Sequence, residues 1–302
     1  MRFTTNHKAF LLLIIILYSA YCKAQTPINI WEGTKCKAKV ELTPYLAKSK
    51  DAPAIIVCPG GSYFWHDMET EGVGVAKWLQ DNGISAFVLK YRVGTIAGFI
   101  THHRILTRGN RYPDMLQDIQ RSIQLIRDNS DRYDINPDKI GVIGFSAGGH
   151  LTAMSGLFFD TDVLTQLGVT PTVSLKPNFI APIYPVVSFS APCTHKRSRR
   201  GALGEGKAIS REMKDSLSLE KHVRVDMPPT FLMNCVDDPI VKYQNSELLD
   251  SAMTAMGVKH KYIQYKTGGH GFGATESKTS KEAIQWKQEF LSWLKEIGIT
   301  NE

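Results

Sequence analysis

The sequence predicts an α/β protein built on a mainly parallel sheet with helices on both faces. Two observations carry that prediction. Short apolar runs of strand length alternate with helical periodicity along the chain. One strand-to-helix junction reads Gly144-Phe145-Ser146-Ala147-Gly148, small residues packed around a single serine. Alternation of this kind calls for parallel strands joined by crossover helices, which cover both faces.

The elements follow in order. Ala54-Ile55-Ile56-Val57-Cys58 reads as a buried strand ending at Pro59-Gly60-Gly61. Residues 72–80 read as a helix stopped by Asp81-Asn82-Gly83, and Ser85 to Lys90 as the next strand. Met115, Ile119, Ile123 and Ile126 recur at helical spacing, which predicts an amphipathic helix over 113–129. Asn136-Pro137-Asp138 reads as a turn opening the strand Lys139 to Ile143, and Gly149 to Met154 as the helix beyond the serine. Phe179 to Tyr184, Thr230 to Cys235 and His260 to Tyr265 are further strands. A helix over 244–256 and a closing one through Trp286, Phe290 and Trp293 complete the set. Two long insertions interrupt the pattern, residues 92–112 and 188–225, and insertions in such sheets sit over the active face. The first holds His102-His103, read as loop or pocket polarity. The second holds the basic run His195 to Arg200, read as a solvated loop or, more sharply, a contact for substrate or a carboxylate.

The first residues stand apart. Arg2, His7 and Lys8 precede an apolar run from Phe10 to Leu17, too short to span a bilayer, and Cys22-Lys23-Ala24 before Gln25 offers a cleavage site. Residues 1–24 are read as a signal peptide and 25–302 as one catalytic domain, placing the mature protein in the periplasm or outside the cell; an uncleaved anchor is the alternative. The segment holds three of the 36 Lys and Arg and no acid. The remainder therefore carries 33 basic against 29 acidic residues, a net charge of +4. So mild a charge argues against a nucleic-acid partner. Four cysteines remain (Cys36, Cys58, Cys193, Cys235); their spacing nominates no disulfide pair, and no metal-ligand spacing occurs. No metal or other cofactor is expected, nor any membrane contact once the signal is cleaved.

The G-x-S-x-G pattern between a strand and a helix is a nucleophile elbow, a turn so sharp that a Cβ at its glycines would strike neighbouring backbone. A serine hydroxyl is a poor nucleophile near neutral pH. A histidine must take its proton, and a carboxylate must orient that histidine. The order serine, acid, histidine is met. Val236-Asp237-Asp238-Pro239-Ile240-Val241 follows one strand, and Gly268-Gly269-His270-Gly271-Phe272-Gly273 follows the next. His270 is the candidate base. Asp238 is favoured over Asp237 because its spacing to Val241 fits D-x-x-V. Oxyanion donors are expected from the backbone of Gly61, Ser62 and Ala147.

These pieces, with Lys90-Tyr91-Arg92, Tyr112-Pro113 and Asp118, Tyr184-Pro185-Val186, Pro228-Pro229-Thr230-Phe231-Leu232 and Asn245-Ser246, resemble the α/β-hydrolase superfamily. Within it the chain is similar to exported bacterial carbohydrate esterases of the acetyl-xylan-esterase-like, lipase/esterase group, over nearly all of residues 30–296. Lys242 stands where that group usually has proline, and the 92–112 loop is longer than usual. The resemblance implies a serine esterase that removes acetyl or other short acyl groups from an acylated carbohydrate or a small ester, without a cofactor. Tyr63, Phe64 and Trp65 are candidate pocket aromatics. Two alternatives stand beside it. A prolyl-oligopeptidase-like serine peptidase shares this catalytic domain but usually carries a large extra N-terminal domain, for which this chain has no room. A non-catalytic binding protein of the same fold is at odds with the intact Ser146, Asp238 and His270.

Overall fold

The computed structural model describes residues 26–100, 110–204 and 209–300. The expected signal peptide and His102-His103 lie outside the described residues. Eight strands form one sheet in the order β1-β2-β4-β3-β5-β6-β7-β8. Six of them were legible in the sequence: β3 (Ala52–Cys58), β4 (Ser85–Lys90), β5 (Ile135–Phe145), β6 (Phe179–Ile183), β7 (Thr230–Cys235) and β8 (His260–Tyr265). All six run parallel. Their central members are continuous apolar runs because both faces of the sheet are covered.

The other two strands extend one edge. β1 (Ile28–Asn29) pairs antiparallel with β2 (Glu41–Tyr45), which pairs antiparallel with β4. Pro44 hides β2 from a sequence reading, since proline cannot donate to a ladder. It is tolerated because β1 reaches only Glu41 and Leu42, leaving Pro44 without a neighbour on that side. The turn read at Asn136-Pro137-Asp138 lies inside β5. There the pairing with β3 jumps from Ala52–Ile135 to Ala54–Ile140, so the turn residues form a bulge in the strand.

Helices cover both faces. On one, α2 (Asp114–Asp128) and α3 (Ala147–Leu157) bury Ile119, Ile123, Leu151 and Met154 against Ile56 and Leu89. On the other, α1 (Gly74–Asp81) and α6 (Trp286–Glu296) bury Leu79, Trp286, Phe290 and Trp293 against Val57, Phe145 and Phe231. A single π-helical stretch, Met68–Val73, leads into α1. The basic run is not a loop: Lys196–Leu203 is helix α4. Helix α5 (Gln244–Ala255) lies between β7 and β8. Among the described residues no helix is long and apolar enough to cross a membrane. The four described cysteines are unbridged. Cys58, Cys193 and Cys235 are buried, and burial raises all three thiol pKa values, that of Cys235 to about 12.

One buried ion pair ties the amino-terminal segment to this framework. Asp118 on α2 is fully buried. It accepts the Arg92 N–H at 2.7 Å, Arg92 Nε at 2.9 Å and Trp31 Nε1 at 2.8 Å. Arg92 in turn lies over the Trp31 ring and donates to Gln117 Oε1 at 2.8 Å. Burial raises the Asp118 carboxyl to about 6, against the opposing pull of Arg92. Removing one partner of such a pair leaves a charge stranded in the core. Arg92→Met should therefore lower unfolding free energy by roughly 3 kcal/mol at pH 8. The deficit should shrink at pH 5, where the stranded carboxyl takes up a proton. Urea melts at both pH values measure this, and equal stability of the two proteins at pH 8 would contradict it.

Candidate active site

The carboxyl ends of the parallel strands define one rim, and the sequence-nominated residues gather there. Such a rim is where open α/β sheets place their sites. Ser146 sits between β5 and α3 with φ 55° and ψ −115°, a strained conformation for a residue with a side chain. Backbone bonds hold it. Ser146 N–H donates to Ile183 O at 3.1 Å, and its carbonyl accepts from His150 N–H and Val186 N–H, both at 3.1 Å. The elbow glycines are needed for clearance. A Cβ on Gly148 would lie 2.0 Å from the Cys58 carbonyl oxygen, and one on Gly144 would lie 2.3 Å from the Gly148 carbonyl oxygen. The elbow helix thus rests directly on the end of β3.

The β3 end continues into Pro59-Gly60-Gly61-Ser62, whose carbonyl at Pro59 accepts from Tyr91 Oη at 2.6 Å. Gly61 and Ser62 take positive φ, 138° and 57°. Among the described residues the N–H groups of Gly61, Ser62 and Ala147 meet no acceptor. Ala147 is the first residue of α3, where backbone donors are free by geometry. Of the three neighbouring aromatics, Tyr63 and Phe64 are buried in the core and only Trp65 lines the cleft. Tyr63 Oη lies 2.9 Å from His150 Nδ1, and His150 Nε2 lies 3.0 Å from the Leu217 carbonyl. The carbonyl must accept, so Nε2 carries the proton and the Tyr63 hydroxyl donates to Nδ1. Burial lowers the His150 pKa to about 4, so this ring is neutral packing beneath the elbow.

The two aspartates after β7 divide their partners. Asp238 Oδ2 lies 2.6 Å from His270 Nδ1, while its Oδ1 accepts from Ile240 N–H at 2.8 Å and Val241 N–H at 2.9 Å. Asp237 accepts instead from Gly268 N–H at 3.2 Å and Gly269 N–H at 2.9 Å. Asp238 thus bonds the histidine ring, and Asp237 bonds the loop that carries it. Ser146, His270, Gly61 and Ser62 line one cleft of about 160 Å³, with Trp65, Asp67, Glu71, Arg197, Ile240 and Gly271. Ser146 Oγ makes no hydrogen bond among the described residues.

One residue of the site, Glu71, escaped the sequence reading. Glu71 is buried beneath the cleft. Its Oε2 accepts the Gly60 N–H at 2.7 Å and its Oε1 accepts from Tyr184 Oη at 2.9 Å. Tyr184 Oη accepts from Gly273 N–H at 2.9 Å, and its ring packs 4.7 Å from that of His270. Burial raises the Glu71 carboxyl to about 7, opposed chiefly by the nearby His270. Of the basic run, Arg197 lines the cleft, while His195, just before α4, bonds Ser198 Oγ through Nδ1 at 2.8 Å; burial and then Arg197 lower its pKa to about 4.

Comparison with known proteins identifies the family. The BD-FAE family model matches residues 42–253. An acetylxylan esterase of Xylanibacter ruminicola is 27% identical over 98% of this chain and 56% of its own length. Endo-1,4-beta-xylanase B of Butyrivibrio fibrisolvens is 30% identical over 72% of this chain and 32% of its own. The chain therefore spans about half, or less, of these relatives. The crystal structure of an acetyl ester-xyloside bifunctional hydrolase from Caldicellulosiruptor lactoaceticus superposes with a TM-score of 0.79 at 32% identity, covering 91% of this chain and 97% of that one. A carboxylesterase of Lactobacillus plantarum, at 23% identity over 91% of this chain and 97% of its own, shares the fold with a TM-score of 0.70. The strand order, the elbow and these matches together show that the chain belongs to the BD-FAE family and has the α/β-hydrolase fold.

Proposed function

We propose that this chain is a serine carboxylic-ester hydrolase that removes acetyl or other short acyl groups from glycans. One observation carries the reading: a strained serine and an aspartate-held histidine line the same small cleft, beside three backbone N–H groups that meet no acceptor among the described residues. Ser146 Oγ attacks the ester carbonyl while His270 takes its proton. Asp238 fixes the ring with Nδ1 protonated, leaving Nε2 as the base. The N–H groups of Gly61, Ser62 and Ala147 take the negative charge that develops on the carbonyl oxygen. The acyl carbon–oxygen bond to the sugar then breaks, and His270 gives its proton to the departing sugar oxygen. Water, activated by the same ring, releases the acid and restores Ser146.

The small cleft volume supports a short acyl group, and the acetyl esters named for the similar proteins support the same class. They also favour an ester over the prolyl peptide bond. The apolar run between basic residues and a small-residue cleavage site at the amino terminus supports export, with residues 25–302 as the mature catalytic domain.

The test is a panel of 4-nitrophenyl esters, acetylated glycans and prolyl peptides. Acetyl esters should be cleaved well above esters of about eight carbons or more, with acetate released from the glycans. Ser146→Ala should lose several orders of magnitude with the fold intact. A tenth of the activity surviving in that variant would remove Ser146 from the mechanism.

The neighbouring aspartates separate by kinetics. Asp238→Asn presents the wrong tautomer to Ser146, so kcat should fall by roughly 10⁴. Asp237→Asn still offers one oxygen to the glycine loop and should cost far less. The reverse ranking would transfer the role to Asp237.

Glu71 gives the site a pH signature in stability. Its folded-state pKa, about 7, is raised above the ordinary 4.5. A raised carboxyl favours the folded state below the unfolded pKa, and that contribution is lost as pH climbs from about 4.5 through 7. Glu71→Gln removes this slope. Relative to wild type, the variant should therefore gain on the order of 3 kcal/mol between pH 4 and pH 8. Parallel unfolding curves for the two proteins across that range would refute it.

A further inference from the structure

The helix formed by the basic run is built into the wall of the cleft. Gly201 lets α4 press against the oxyanion loop: a Cβ there would lie 2.4 Å from the Ser62 carbonyl oxygen and 2.7 Å from Tyr63 Cβ. One turn earlier, Arg197 lines the cleft together with Ser146 and His270. Its Nε donates to Ser62 Oγ at 3.0 Å, and the guanidinium lies 5.4 Å from the centroid of the Trp65 ring. These two contacts fix the plane of the fork and leave the edge formed by Nη1 and Nη2 without a protein acceptor among the described residues. The two arginines that follow Arg197 on the helix are engaged elsewhere. Arg199 donates to Phe189 O at 3.2 Å, and Arg200 lies over Phe64 and Phe99.

The carboxylates in or beside the cleft have partners of their own. Asp238 is bonded to His270, Glu71 to Gly60 and Tyr184, and Asp67 accepts the Thr70 N–H at 3.0 Å. No carboxylate of the described residues forms an ion pair with Arg197. His195, beside it, is held neutral by burial and by Arg197 itself. A planar cation with one edge held and the other edge free matches the two oxygens of a carboxylate, a bidentate fit that a lysine cannot reproduce.

The geometry points to Arg197 as the binding residue for a carboxylate carried by the ester substrate, which makes acidic acylated glycans the favoured class. This rests on the esterase reading above. The carboxylate has two possible sources, a uronic-acid substituent on the sugar or an acidic acyl group, and the test separates them. kcat/KM is measured for wild type, Arg197→Gln and Arg197→Lys on two pairs of substrates. One pair is 4-nitrophenyl acetate against 4-nitrophenyl hemisuccinate. The other is an acetylated neutral xylo-oligosaccharide against one bearing glucuronic acid.

Wild type should prefer the acidic member of one pair by about tenfold, the yield of one charge-assisted contact in a partly exposed site. The pair that shows the preference identifies the source. Arg197→Gln should bring that ratio to about one, and Arg197→Lys should keep part of it. Ratios within a pair cancel any general loss transmitted through Ser62, and the lysine variant keeps the test open if the glutamine variant fails to fold. Unchanged ratios in the variants, or no acidic preference in wild type beside normal cleavage of neutral esters, overturn the inference and leave the esterase standing. Failure of wild type to cleave any ester overturns both.

Discussion

The buried Glu71 carboxyl is the contact on which the arrangement of the site depends. Three loops from three strand ends meet at it: Gly60 after β3 donates to one oxygen, Tyr184 after β6 donates to the other, and Tyr184 takes the Gly273 N–H from the loop after β8. The loops that carry Gly60 and Gly273 flank the elbow, and this chain of hydrogen bonds ties one to the other. A network of this kind is costly if any member is missing, because each group is sealed from water. Fully satisfied, it fixes the backbone at Gly60 and Gly273 in one arrangement. The elevated Glu71 pKa is the desolvation cost of that rigidity.

The same economy governs the acid loop. Two adjacent aspartates with opposite tasks need a backbone that turns between them, and Asp238 is fixed by the Ile240 and Val241 amides before it meets His270. Asp237 reaches across to the glycines on the other side of the histidine. The histidine is thereby held at its ring nitrogen while the two glycines before it are held at their amides. Tyr184 closes the remaining side with its ring.

Much of this was legible in the sequence because it is written locally. Apolar runs gave the six parallel strands, and the junctions following them gave Ser146, Asp238 and His270 by residue type and order. The expectation that elbow glycines avoid a collision is met by the Cys58 and Gly148 carbonyls. What stayed hidden depends on distant partners. Glu71 and Tyr184 bond across a separation of 113 residues, and nothing near Glu71 marks it as buried. β2 was hidden by Pro44, whose tolerance depends on how short β1 is. The basic run looked like a solvated loop because its charge conceals Ser198, Gly201, Ala202 and Leu203, the buried face that makes it a helix.

The buried thiols have a consequence for where this fold can work. Cys58 ends the strand beneath the oxyanion loop, and Cys235 ends the strand that leads to the two aspartates. Both are unbridged and sealed, with protonation favoured far above neutral pH. Since the thiolate is the species that exchanges and oxidises, these positions present no redox handle. The framework of the site closes without an oxidant and has nothing to lose to a reductant there, so its geometry is indifferent to the redox poise of the surrounding medium.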